Sequence, residues 1–247
     1  MTADSKEKPF GIKDKLGYMF GDFGNDFTFI FASSFLMVFY TNVLGIDPKM
    51  VGVLFLVARV VDAFTDIGMG RIVDRLPSSR DGKFRPWIKR ICVPVAFASF
   101  LMYQSSLVSA SMTVKIIYMF VTYILWGSIL YTAINIPYGS MASAITDNPR
   151  QRAELSTFRS MGATFASVVI MMVAPVVVYY KDENGNQIVS PTNFTLIAGA
   201  FGVLAVICYI LCYQLTRERV KIEKVNGGKM PGLGETFHAL FSNHALL

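Results

Sequence analysis

Arg59, Asp62 and Asp66 fall inside one apolar run, Val51 to Val73, at spacings i, i+3 and i+7. Helical geometry puts all three on one face. An ionisable side chain in the middle of a bilayer costs roughly 2.5–3.5 kcal/mol to insert, so its presence there marks a functional site. Two carboxylates one turn apart repel each other and share protons unless a cation sits between them. One arginine cannot neutralise both. Thr65 stands beside the pair and adds a neutral oxygen. An all-oxygen set of this kind suits a hard monovalent cation such as Na⁺, and a proton satisfies the same groups.

A second acidic pair lies in the first apolar run, within Gly21-Asp22-Phe-Gly-Asn25-Asp26. Asp26 is followed by a continuous apolar stretch, and a carboxylate there can accept hydrogen bonds from a polyhydroxylated ligand. Gly17, Gly21 and Gly24 lie almost on one face and allow another helix to approach closely. Further on, Thr132, Asn135, Pro137 and Tyr138 gather on a fourth run. Pro137 frees a backbone carbonyl and kinks its helix, which suits a cavity wall.

The elements that carry these residues follow from composition. Only 16% of the 247 residues are charged, against roughly 25% in soluble domains, and mean hydropathy is +0.46. Six spans are predicted: 16–44, 51–73, 87–107, 112–142, 158–180 and 194–215, each long enough for a hydrocarbon core of about 30 Å. Lys and Arg alternate between connections. Lys6, Lys8, Lys13 and Lys15 precede the first span. Arg71, Arg75, Arg80, Lys83, Arg85, Lys89 and Arg90 cluster between the second and third. Arg150, Arg152 and Arg159 lie between the fourth and fifth, and Arg217 to Lys229 follow the sixth. The other connections carry one each, Lys49, Lys115 and Lys181. Positive residues stay in the cytoplasm, so both termini are expected there, in a multi-pass protein of the cell (inner) membrane.

That same clustering assigns the net charge of +6 to membrane orientation and not to nucleic acid. Cys92, Cys208 and Cys212 all sit in apolar runs, as small core residues do. The only histidines, His238 and His244, are far from the acids. No nucleophile–base set or phosphate loop is visible, so an enzyme is not expected, and no cofactor beyond a coupling ion. The first 16 residues are polar and mixed in charge, so no cleavable signal is expected.

At Gly21-Asp-Phe-Gly-Asn-Asp26, Leu56-Val-Ala-Arg-Val-Val-Asp-Ala-Phe-Thr-Asp66, Gly82-Lys-Phe-Arg-Pro-Trp87, Thr122-Tyr-Ile-Leu-Trp-Gly127, Asn135-Ile-Pro137 and Arg152 to Arg159, the sequence resembles the glycoside–pentoside–hexuronide:cation symporters, a branch of the major facilitator superfamily. Gly70-Arg-Ile-Val-Asp-Arg75 resembles that superfamily's loop motif between helices two and three. The resemblance implies an all-α membrane fold of twelve helices in two halves, of which this chain would be the N-terminal six. It implies a cation site at Asp62, Thr65, Asp66 and Thr132, with Arg59 as a structural ion-pair partner and Na⁺ or H⁺ as the coupling ion. It implies sugar contact at Asp26 and Arg159, with Asn25, Asn135 and Tyr138 beside them. Three positions depart from the melibiose branch: Asn25 stands where a lysine occurs, Asn135 where an aspartate occurs, and Gly139 where a tryptophan occurs. Another glycoside, a pentoside or a hexuronide is therefore expected.

The expected organisation is a cytoplasmic segment (1–15), a six-helix transmembrane bundle (16–215) and a cytoplasmic linker (216–247) that stops before a seventh helix. Expected partners are a sugar, a monovalent cation, the lipid bilayer and a C-terminal six-helix half that this chain lacks. Two other readings remain open: a non-transporting membrane subunit or sensor, and another carrier of the facilitator type.

Overall fold

A computed structural model describes residues 9–75, 77–181 and 185–220. The chain is mostly helical. Helix α1 (Ile12–Val38) runs on into a π-helical turn, Phe39–Val43. Then come α2 (Pro48–Arg75) and α3 (Arg85–Leu101). Helix α4 (Met112–Tyr123) passes through an eight-residue π-helical segment, Ile124–Tyr131, into α5 (Thr132–Ile145) without a break. Helix α6 (Pro149–Val178) leads to a small antiparallel hairpin, β1 (Tyr179–Lys181) and β2 (Gln187–Val189), and α7 (Pro191–Leu215) ends the bundle.

Among the described residues, four stretches are long and apolar enough to cross a membrane: Ile12–Val43, Met112–Ile145, Pro149–Val178 and Pro191–Leu215. Helix α2 is 28 residues long but interrupted by charge, and α3 has 17 residues. Several boundaries differ from the sequence expectation, each for a local reason. The third span was expected to reach Leu107, but α3 stops at Leu101, and Gln104 is extended (φ −84°, ψ 108°) before a single 3₁₀ turn at Ser105–Leu107. The fifth was expected from Phe158, but α6 begins at Pro149. The Asn148 side chain there accepts hydrogen bonds from the Arg150 and Gln151 N–H groups, and Pro at the first position has no N–H to satisfy. The hairpin after α6 carries no strong sequence signal in three-residue strands.

Helix α1 is central and packs chiefly on α6 and α7. Its glycine face makes this possible. A Cβ on Gly21 would lie 2.3 Å from the Tyr138 ring and 2.9 Å from Cys212 Sγ, and one on Gly24 would meet the Tyr209 ring at 2.9 Å. An aromatic core fills the far end of the bundle, where Phe31, Phe39, Tyr103 and Phe194 meet with ring centroids 4.8–6.3 Å apart. Lys115 Nζ donates to the Leu44 carbonyl at 2.8 Å, holding the start of α4 to the end of α1.

The opposite end is tied down by residues expected to begin a linker. The Glu218 carboxylate accepts the backbone N–H groups of Lys83, Phe84 and Arg85 at 2.6–2.8 Å, capping the N-terminus of α3. Arg219 makes a two-pronged bond to Asp14 at 2.9 and 3.0 Å, and its own N–H reaches the Ala144 carbonyl at 2.8 Å. Residues 216–220 are thus part of the bundle. Residues 12–15, expected in an extramembrane segment, form the first turn of α1. The rest of the expected linker, 221–247, with His238 and His244, lies outside the described residues.

Candidate functional site

The acids of α2 face the joined α4–α5 helix. Ser128 Oγ donates to Asp62 Oδ1 at 2.5 Å, and Thr132 Oγ1 donates to Asp66 Oδ1 at 3.0 Å. Both bonds join residues 66 positions apart, so two helices running the same way lock in one register, carboxylate to hydroxyl, twice over. Ser128 lies in the π-helical segment and is fully buried, and Thr132 opens α5. Wide π turns of this kind recur at functional sites because they re-aim side chains off the ordinary helical register. The fold supports this wall one turn further on. Pro137 has no N–H to give Ala133, and the Trp87 indole N–H takes up that carbonyl at 2.7 Å.

A cleft of about 290 Å³ opens along the ladder. Phe29, Tyr123, Trp126 and Tyr131 give it aromatic walls, while Arg59, Asp62, Asp66, Thr132 and Asn135 supply the polar groups. Arg59 Nη1 is 3.6 Å from Asp62 Oδ2, but its side chain is 77% exposed and Asp66 makes no ion pair among the described residues. The arginine therefore neutralises at most one acid. The Trp126 ring N–H is buried at the wall with no hydrogen-bond partner among the described residues.

The expected sugar residues separate into two groups. Asn135 lines the cleft. Arg159 and Asp26 lie on the α1–α6 side. Arg159 Nε donates to Asp22 Oδ1 at 2.8 Å, and its guanidinium lies 5.3 Å from the centre of the Tyr138 ring. One Asp26 oxygen, Oδ2, is buried with no hydrogen-bond partner among the described residues. Two expectations are corrected. Asn25 is four residues from Gly21, so it shares the glycine face: it is 1% exposed, accepts from the Tyr209 hydroxyl at 2.8 Å and points into α7. Tyr138 is fully buried, stacked on Tyr18 at 4.6 Å, with its hydroxyl donating to the Tyr18 carbonyl at 2.6 Å. It can touch a ligand only through Arg159. Thr65 also turns inward: its hydroxyl bonds the Val61 and Asp62 carbonyls of its own helix at 3.2 and 3.1 Å.

Two residues of the site escaped the sequence reading. Ser128 had a signal, since Ser128 and Thr132 repeat the four-residue spacing of Asp62 and Asp66. Asp22 was visible as an acid, but its partner is 137 positions away and only the fold brings them together.

A mostly helical, multi-pass membrane protein with an acid–hydroxyl ladder facing a polar, aromatic-walled cleft has the architecture of a carrier. The chain belongs to the MFS/sugar transport protein family, whose sequence profile matches residues 17–247. It is 37% identical over 222 residues to the inner membrane symporter YicJ of Escherichia coli strain K12, covering 87% of this chain and 45% of that protein. It is 35% identical to the isoprimeverose transporter of Lactiplantibacillus pentosus (84% of this chain, 42% of the relative). It is 34% identical to the glucuronide carrier protein homolog of Escherichia coli (83% and 43%). The chain spans about half the length of the curated relatives it matches.

Proposed function

We propose that this chain forms one six-helix wall of a secondary transporter that carries a sugar together with Na⁺ or H⁺ by alternating access, in the cell membrane and with its arginine-rich loops in the cytoplasm. Helices α2 and α3 then complete the count with the four apolar stretches. The coupling ion binds Asp62 and Asp66, with Ser128 and Thr132 as the neutral oxygens. The sugar binds across the cleft between Asn135 and the Asp26–Arg159 side, and a second half supplies the facing wall. No covalent step is involved.

The observation that carries this reading is the in-register ladder. Each acid keeps one oxygen on a hydroxyl, and the other is engaged at most by the exposed Arg59, as at Asp62 Oδ2, a geometry that holds a small cation without fixing it permanently. Binding of the ion removes the repulsion between the acids and so favours the arrangement that also forms the sugar site, with coupling between ion and sugar of about 1–3 kcal/mol. The reading is tested by radiolabelled sugar uptake with and without a sodium or proton gradient, in cells expressing the complete protein. Asp62→Cys and Asp66→Cys abolish ion stimulation while the protein stays in the membrane. Undiminished stimulation in either variant refutes the assignment.

A further inference from the structure

The fate of Arg159 decides which sugars this site admits. A free guanidinium beside a sugar pocket is a ready partner for a uronate carboxylate, since its fork matches a carboxylate's two oxygens. Here the guanidinium charge is already met along one edge. Arg159 Nε holds Asp22 Oδ1 at 2.8 Å, and the Asp22 side chain is only 6% exposed. A carboxylate that buried cannot give up its counter-ion cheaply. The fold also fixes the pair. A Cβ on Gly162, three residues after Arg159, would lie 2.9 Å from the Met19 carbonyl and 3.5 Å from Asp22 Cβ, so α6 lies hard against α1 at this level.

The remaining charges deepen the effect. Asp26, one turn beyond Asp22, has a buried oxygen with no hydrogen-bond partner among the described residues, so it adds no positive charge. Across the cleft, Arg59 faces Asp62 and Asp66. There one guanidinium, 77% exposed, meets two carboxylates, and one bound monovalent cation brings that count to zero, so no positive charge is left over for an anionic sugar. A uronate carboxylate entering here loses hydration without gaining a counter-charge. A neutral glycoside meets no such barrier, because the guanidinium N–H groups not spent on Asp22 donate equally well to hydroxyls.

We propose that the Asp22–Arg159 pair makes this site select uncharged glycosides or pentosides over hexuronides. The proposal rests on the sugar-symport reading above and narrows its substrate. The test is uptake by the complete protein of matched probes: a phenyl β-glucoside, its glucuronide with CO₂⁻ in place of CH₂OH, and a phenyl β-xyloside. The unmodified protein favours the neutral probes by about tenfold or more, as expected for a carboxylate desolvated without a counter-charge. Asp22→Asn, which releases Arg159, moves the glucuronide-to-glucoside ratio towards the glucuronide by roughly tenfold. Asp26→Asn removes the acid beside the pair without breaking the pair and moves the ratio the same way by less, which keeps the test alive if Asp22→Asn is poorly retained in membranes. Preference for the glucuronide in the unmodified protein overturns the selection rule alone. So does an unchanged ratio in both variants, which is the signature of a purely structural pair. Uptake of none of the three overturns the symport reading and this inference with it.

Discussion

Helices α1 and α2 each carry two aspartates one turn apart in an apolar setting, and the fold resolves the two pairs in different ways. On α1, Asp22 is buried and its charge is met by Arg159, itself stacked on a tyrosine that Gly21 and Tyr18 hold in place. On α2, Asp66 is exposed, the Asp62 side chain is 26% exposed, and the main partners are two hydroxyls. A charged partner fixed by packing makes a permanent feature. Neutral donors stabilise an anion by directing dipoles at it without cancelling its charge, so the α2 pair keeps its appetite for a cation. The same sequence motif therefore yields a buried ion pair in one place and a hydroxyl-bonded, more exposed acid pair in the other, which is where the proposed reading puts the exchangeable ion.

The contrast breaks most violently at Gly21. In Gly21→Val the new side chain strikes the Tyr138 ring, which has nowhere to go, and overpacking of this kind costs about 3 kcal/mol. The expected outcome is a large fall in melting temperature in detergent and in membrane abundance. Arg159→Ala comes next. It strands the Asp22 carboxylate, and because the arginine side chain is 41% exposed, the loss should be about 2 kcal/mol, below the full value for a wholly buried pair. The matching change on α2, Asp62→Asn, should move stability by well under 1 kcal/mol, since its pairing with Arg59 is largely solvated. Thermal melts of the two variants side by side decide it: equal losses would erase the distinction between a structural and an exchangeable acid.

How far the sequence foretold this depends on the range of the interaction. Asp62 and Asp66 were legible because the signal is local, an acid pair four residues apart inside an apolar run. Pro137's freed carbonyl was equally readable, but not that Trp87 would take it. The close face of Gly17, Gly21 and Gly24 was expected from spacing, yet that spacing also puts Asn25 against α7 and away from the cleft, a consequence that needed the neighbouring helix to be seen. Arg159 is expected at the sugar beside Asp26, but its Nε goes to Asp22. Asp22 won because Gly162 brings α6 down onto the turn of α1 that carries it. Helix ends were misjudged where a capping side chain, not hydropathy, sets them, as at Asn148.

Two smaller changes sharpen the comparison on the α2 side. Ser128→Ala removes one donor from Asp62 and leaves the fold intact, so the effect belongs in ion binding. A hydrogen bond to a charged acceptor in a partly open cleft is worth about 1 kcal/mol, which predicts roughly fivefold weaker cation activation of uptake. Thr132→Val should do the same through Asp66.

Thr65→Val is the finest cut. The family resemblance puts an ion ligand at this position, whereas the hydroxyl here is bonded to two carbonyls of its own helix. A threonine so engaged keeps lone pairs on its oxygen, but to use them the side chain must leave the χ1 well those bonds favour. Valine fills the same shape. If the ladder of Asp62–Ser128 and Asp66–Thr132 is the whole site, Thr65→Val shifts the cation concentration for half-maximal uptake less than about twofold, within the range of surface substitutions. A shift as large as that of Thr132→Val would mean that Thr65 rotates onto the ion when it binds, and that α2 is less settled around its acids than α1 is around Asp22.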